Sequence, residues 1–313
     1  MEPSADRPAG FSFDLSDPRV ITLRSASAVE RTRFLFLSDT HLGREDDRDT
    51  GFRDHSRRMA HAYATTRHYR TGERSSPEAL FLETLGHART AAADLIVVGG
   101  DLLSFPSVAA VEWACARLDD TGIPWLYVAG NHDWHYEGMA GSSAELRSWG
   151  EHRLASLYRG RDPLMGIFEL SGLRFVLIDN GTYEISPDQL DFYHEAVAVG
   201  QPVILVCHIP LYVPGRDVSY GCGHPQWGAA TDKNYRIERR PQWPVTGHTE
   251  TTIRFHREVF RTENLLAILC GHTHRPAVDV YNSIPLFVAP ANASGGFLEI
   301  SVEPALHNSA EVP

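Results

Sequence analysis

Five apolar runs along the chain each stop at a polar cluster. Phe34–Leu37 leads into Ser38-Asp39-Thr40-His41, and Leu95–Val98 into Gly99-Gly100-Asp101. Trp125–Val128 leads into Ala129-Gly130-Asn131-His132-Asp133, Val203–Val206 into Cys207-His208, and Leu265–Leu269 into Cys270-Gly271-His272-Thr273-His274. Short runs without polar alternation predict strands buried on both faces. Helical signals lie between them. Ser76-Pro77-Glu78 opens a helix to about Ala91, with Leu80, Phe81, Leu85 and Ala88 on one face. Phe105-Pro106-Ser107 opens another toward Leu118, and Leu146, Trp149, Leu154 and Leu157 mark a third. Ser186-Pro187-Asp188 starts a fourth, reaching about Val199, and a fifth covers Thr251–Arg261. Gly166–Leu170 and Leu173–Ile178, separated by Ser171-Gly172, predict a hairpin. Strand-like pieces at Ala277–Tyr281, Pro285–Ala289 and Phe297–Val302 follow.

This order predicts one α/β domain over residues 31–303, with mixed sheets and outer helices. Residues 1–30 read as an irregular leader with one short strand at Val20–Leu23, and 304–313 as a tail. Two long segments interrupt the pattern. Residues 43–76 are rich in Arg, His and Asp, and 209–248 are rich in Pro and aromatics. The first reads as a long insertion and the second as a loop, and loops of that length inside a domain are usually functional or disordered.

The formal charge of −11 disfavours a broad nucleic-acid or anionic-membrane surface. Cys115, Cys207, Cys222 and Cys270 have no zinc-ribbon or CxxC spacing and read as small apolar filler in a reducing compartment. The N-terminus lacks a basic segment followed by an apolar one, and no run reaches the roughly 18 apolar residues that cross a bilayer. The expectation is a cytoplasmic protein with no membrane partner.

The chemistry gathers where the strands stop. In open α/β sheets, ligands collect at the carboxyl ends of the strands. Asp39 and His41 lie two residues apart, Asp101 follows a Gly pair, and Asn131 offers a neutral carbonyl oxygen. His208, His272 and His274 add imidazoles. Each alone has a bland reading as a capping Asp, a turn or a structural His. Together they present oxygen and nitrogen donors at one sheet edge, in numbers that suit two metal ions.

The ordered set Asp39-x-His41, Gly100-Asp101, Gly130-Asn131-His132-Asp133, His208 and Gly271-His272-Thr273-His274 resembles the calcineurin-like metallophosphoesterase superfamily. The resemblance spans about Arg33 to Arg275. It implies a four-layer α/β/β/α sandwich with a bimetal site at the strand C-terminal ends. It implies that Asp39, His41, Asp101 and His274 hold one metal, and that Asp101, Asn131, His208 and His272 hold the other. Asp101 would bridge them, and His132 would be catalytic rather than a ligand. The implied reaction is in-line attack of a metal-bridging hydroxide on a phosphate ester. The metals could be Mn, Fe, Zn, Co or Ni.

The chain departs from some branches of the superfamily. Gly100-Asp101-Leu102-Leu103-Ser104 lacks the Asp-Arg of the protein Ser/Thr phosphatases, and Ser104 stands where purple acid phosphatases carry a Tyr ligand. The remaining pattern is similar to bacterial class III cyclic-nucleotide phosphodiesterases and related phosphoesterases. The expectation is a small phosphodiester substrate, with a phosphomonoesterase as the alternative. A nuclease or a non-catalytic metal-binding scaffold ranks lower. The arginines of 44–74 (Arg48, Arg53, Arg57, Arg58, Arg67, Arg70) suit phosphate or a solvated surface equally. Aromatics of 209–256, with His224, His248 and His256, suit a lid or simple packing. Asp46, Asp47 and Asp49 read as a solvated turn.

Overall fold

A computed structural model describes residues 11–134, 143–232 and 244–305, apart from 18, 27, 29 and 49. The short apolar runs become strands β3 (Thr32–Leu37), β6 (Leu95–Gly99), β7 (Trp125–Val128), β10 (Val203–Val206) and β11 (Leu265–Cys270). They divide between two six-stranded sheets. The first has the order β1-β2-β14-β3-β6-β7, with β1 at Ser12–Asp17, β2 at Val20–Ser25 and β14 at Leu298–Pro304. The second has the order β12-β13-β11-β10-β9-β8, with β8 at Met165–Leu170, β9 at Leu173–Ile178, β12 at Ala277–Tyr281 and β13 at Ile284–Val288.

Alternation along each strand builds the layers, because successive side chains face opposite sides of a sheet. Phe34, Phe36, Leu95 and Val97 meet Phe175, Leu177, Ile204 and Val206 in the core between the sheets. Phe34 and Phe175 make an edge-to-face pair at 5.0 Å, worth about 0.5–1.5 kcal/mol beyond burial. Leu35, Leu37, Ile96 and Val98 turn outward onto α2 (Pro77–Thr90) and α3 (Val108–Asp119). Val203, Leu205 and Ile268 turn outward from the second sheet onto α7 (Pro187–Ala198) and α8 (Glu250–Val259). The result is the expected four-layer α/β/β/α sandwich.

The helix starts follow the cap chemistry. Ser76, Ser107, Ser186 and Thr249 each accept a backbone N–H of the first turn, and Ser186 with Gln189 forms a capping box. The Ser171-Gly172 turn has positive φ at both residues, which suits a tight two-residue hairpin.

Two readings are corrected by the structure. The leader is not irregular over 12–17, where it forms β1. The expected strand at Val20–Leu23 is present as β2, which pairs with β1 and runs parallel to chain-distant β14. The insertion 43–76 carries α1 (Arg53–Ala62) and the small hairpin β4–β5 (Thr66–Arg67, Arg74–Ser75). Asp46 is not solvated. It is buried, accepts the Ala109 N–H in the first turn of α3 and binds Arg48, which holds its carboxyl down at about 2. Asp49, Tyr235, Trp243, residues 1–10 of the leader and most of the 304–313 tail lie outside the described residues.

Candidate metal centre

Strands β3, β6 and β7 run parallel in one sheet, and β9, β10, β11 and β13 in the other. The loops after β3, β6, β7, β10 and β11 carry the candidate ligands and meet at the edge where these strands end. Backbone bonds lace the loops together. Asp39 N donates to Gly100 O at 3.0 Å, His41 N to Asp101 O at 3.0 Å, and Gly271 N to His208 O at 2.9 Å.

Two groups of side chains form there, each with its ligand atoms within 4.8 Å of one another. One is Asp39, His41 and His274, and the other is Asp101, His208 and His272. In the first, His41 Nε2 and His274 Nε2 lie 3.0 Å apart, and Asp39 Oδ1 lies 3.2 Å from His274 Nε2. In the second, His208 Nε2 lies 3.2 Å from Asp101 Oδ2. Asn131 joins this group, with Oδ1 at 3.1 Å from His272 Nδ1. All seven residues expected as ligands are therefore at one edge. His132 is there as well. Its N–H donates to Asp101 Oδ1 at 2.8 Å, and its ring meets His41 edge-on at 5.2 Å.

The backbone is bent for this arrangement. Asp39, His41, Asp101, His272 and His274 all have φ between 50° and 68°. That region is uncommon for residues with a Cβ and concentrates at functional sites. Close approach also needs two glycines. A Cβ at Gly130 would strike the Asp101 carboxylate, and one at Gly271 would strike Ser38 Oγ and Asp39.

The donor set suits cations. His208 Nδ1 faces the Gly99 carbonyl at 2.9 Å, so an N–H there leaves the Nε2 lone pair for the centre. That Nε2 is buried and makes no hydrogen bond, although the Asp101 carboxylate is close. Likewise, Tyr183 Oη lies 2.6 Å from His272 Nε2. A proton on that nitrogen leaves Nδ1 and Asn131 Oδ1 as two acceptors facing one another. His41 Nδ1 is buried without a partner. Burial pushes the His41 and His272 imidazoles down to about 3, into the neutral form that binds metals. Burial alone would neutralise Asp101 and His208 too. Their mutual attraction prevails, lowering the carboxyl and raising the imidazole. A cation between them would take over the role of that proton.

Several further residues support the centre, and of these Asn180 and Tyr183 carried no signal in the sequence. Asp133 is buried and accepts Leu103 N at 2.8 Å and Gly130 N at 2.9 Å, tying the β6 and β7 loops together. Burial and then the nearby Asp101 charge raise its carboxyl to about 7. Asn180, after β9, clamps Ile209 beside His208. Its Oδ1 accepts the Ile209 N–H at 2.9 Å and its Nδ2 donates to the Ile209 carbonyl at 2.7 Å. Tyr183 stacks on Trp227, and Trp227 on His248, behind His272. His248 Nδ1 pairs with Glu184. His224 accepts the Gln226 N–H and packs edge-on against Tyr212, and His256 Nε2 faces the Tyr212 carbonyl. These aromatics of 209–256 thus back the centre or pack among themselves. Ser104 donates to the Leu42 carbonyl and supports the β3 loop. Four arginines of the insertion pair with acids near it: Arg44 with Glu78, Arg48 with Asp46 and Glu112, Arg53 with Asp47, and Arg57 with Glu45.

The family model for calcineurin-like phosphoesterases matches residues 32–276. A protein of Psychrobacter arcticus named probable cyclic nucleotide phosphodiesterase is 22% identical over 207 residues, covering 63% of this chain and 63% of its own length. A second of that name, from Psychrobacter sp. strain PRwf-1, is 26% identical, covering 63% of this chain and 52% of its own. The match thus spans less than two thirds of either relative. A dimetal phosphatase from Danio rerio superposes with a TM-score of 0.50 at 14% identity, over 84% of this chain and 88% of that one. That likeness speaks to the fold. Among the described residues, no helix is long and apolar enough to cross a membrane.

Proposed function

The chain belongs to the calcineurin-like phosphoesterase family, and from that premise we propose that it hydrolyses a small phosphodiester with two divalent cations at the sheet edge. The observation that carries this is the pair of three-residue donor groups, each with its ligand atoms within 4.8 Å of one another and with every residue but His208 on left-handed backbone. Asp39, His41 and His274 would hold one ion, and Asn131, His208 and His272 the other, with Asp101 shared. Bound there, the cations would supply Lewis-acid charge and lower the pKa of water.

The chain's own residues do the rest. The His132 backbone N–H donates to Asp101 Oδ1, which orients the carboxylate that would be shared. The Gly99 carbonyl and Tyr183 hydroxyl orient the His208 and His272 rings. His132 sits beside His41 at the half-open face of the centre. From there its imidazole can protonate the departing alkoxide or, as imidazolium, balance its charge. The product alcohol then leaves neutral.

The names of the two Psychrobacter relatives favour a diester over a monoester. A formal charge of −11 disfavours a broad basic surface and so favours a small substrate over nucleic acid. The test compares bis-p-nitrophenyl phosphate with p-nitrophenyl phosphate after Mn²⁺ reconstitution and after EDTA. Metal-dependent preference for the diester is expected. Preference for the monoester would replace this reading with a phosphatase. No metal-dependent turnover on either would remove the esterase reading.

A further inference from the structure

A cavity of about 610 Å³ opens directly beside the candidate centre, with His41 and His274 in its wall. Its volume suits an organic group of nucleotide size. Four separate chain segments close it: the β1–β2 turn (Asp17, Arg19), the insertion (Tyr63 to Arg70), the residues after His274, and the loop after β13 (Pro290 to Ser294). They are fastened to each other. Tyr69 N donates to Ser294 O at 3.0 Å, and Arg70 lies 3.5 Å from Asp17.

The wall has two chemistries. Tyr63 lies nearly parallel to His41 at 4.9 Å, so a flat aromatic surface runs from the centre into the cavity. Tyr69 and three prolines, at 77, 276 and 290, extend the apolar lining. The second chemistry is positive. Arg19 lies over the Tyr69 ring at 5.5 Å, and Arg70 donates to the Tyr69 hydroxyl at 2.8 Å. Both guanidiniums share one carboxylate, Asp17, at 3.4 and 3.5 Å. The insertion's arginines 44, 48, 53 and 57 each have acids of their own. In a chain of charge −11, this corner carries more cations than anions among its described lining residues.

Resting on the phosphoesterase reading above, we infer that this cavity holds the organic part of the ester, and that Arg19 and Arg70 select substrates bearing a planar ring and a second anionic group. The ring lies along Tyr63 and Tyr69. The second anion, a phosphate or a carboxylate, accepts from the arginine pair, whose fork suits both. A cyclic mononucleotide, with only its scissile phosphate, leaves that pair unused.

A matched pair of chromogenic diesters tests this. One is the p-nitrophenyl ester of thymidine 5′-phosphate, and the other carries an additional 3′-phosphate. The readout is the ratio of their kcat/KM values with Mn²⁺. The native protein should favour the doubly charged ester by about tenfold or more, the size of one charge-assisted contact. Arg19→Ala and Arg70→Ala should each bring the ratio toward one, and Asp17→Asn should raise it. A ratio near one in the native protein, or one that survives both arginine changes, would overturn the inference. Calorimetric titration of the metal-free protein with thymidine 3′,5′-bisphosphate and thymidine 5′-phosphate judges the cavity without turnover. Tighter binding of the bisphosphate, lost in Arg70→Ala, supports it, and equal binding sinks it. Absence of turnover on both esters and on bis-p-nitrophenyl phosphate would instead fail the phosphoesterase reading, and the titration would then decide the cavity alone.

Discussion

Asn180→Ala should damage the metal centre without touching a candidate ligand. The Asn180 side chain is fully buried and makes two hydrogen bonds, both to the Ile209 backbone. Ile209 follows His208 and is itself buried. Truncation leaves the N–H without a partner and the carbonyl with only the weak Cys207 thiol donor at 3.6 Å. Each such group costs about 1–3 kcal/mol when buried. A water admitted to the vacated amide volume satisfies part of that demand, which puts the loss at about 2–4 kcal/mol. That is a large share of a typical total of about 5–15 kcal/mol. The freed Ile209 backbone also releases His208, so metal affinity should fall about 10–100-fold, as when an outer-shell partner is removed.

Urea unfolding gives the first number, and Mn²⁺ competition against a chromogenic chelator gives the second. Asn264→Ala is the control. Asn264 also clamps backbone carbonyls, of Val197 and Gln201 at 3.0 and 2.6 Å, but it precedes β11 at the opposite sheet edge. It should lower stability and leave metal affinity intact. A loss under about 0.5 kcal/mol in Asn180→Ala, or unchanged Mn²⁺ affinity, would refute the clamp.

Three further outcomes follow from the same geometry. His132→Ala should retain both metals and lose about 10²–10⁴-fold in kcat; normal turnover in a fully metallated variant would end its proposed role. Asp101→Asn should weaken both ions together, measured as metal content after dialysis, and loss of only one would count against a shared carboxylate. Glu184 is partly buried, yet His248, Thr252 and Thr249 bind its carboxylate and hold its pKa below the ordinary 4.5. A depressed carboxyl stabilises the fold above its unfolded pKa, and that contribution is lost as pH falls through the folded value. Glu184→Gln should therefore be less stable at about pH 7, and its deficit should shrink below about pH 4. A deficit that does not change with pH in urea titrations would refute that linkage.

Much of the fold was legible because local and long-range physics agree. Val203–Val206 and Leu265–Cys270 are apolar on every residue and lie between two covered faces, so pattern and burial coincide. Ser76-Pro77 and Ser186-Pro187 open helices in the structure as they do in the sequence. Ser12–Asp17 alternates polar and apolar residues in a context that reads as a leader, and it becomes a strand by forming a hairpin with β2, which is itself anchored parallel to chain-distant β14. The Arg-rich segment 43–76 looked like a phosphate surface or a solvated one. Acids at 45, 46, 47, 78 and 112, two of them outside the segment, pair with Arg44, Arg48, Arg53 and Arg57, which no spacing rule reveals.

For the centre, the sequence by itself determined the donor types and their position at strand ends. Asp39, His41, Asp101, Asn131, His208, His272 and His274 follow apolar runs, and parallel strands must deliver their C-terminal loops to one edge. Tertiary structure alone decided what surrounds them. Asn180, Tyr183 and Asp133 act through hydrogen bonds to residues 29, 89 and 30 positions away. The cavity joins residue 17 to residue 294. Motifs are local because one loop must supply adjacent ligands. Support and selectivity are not, because they depend on which surfaces the folded sheets bring into contact.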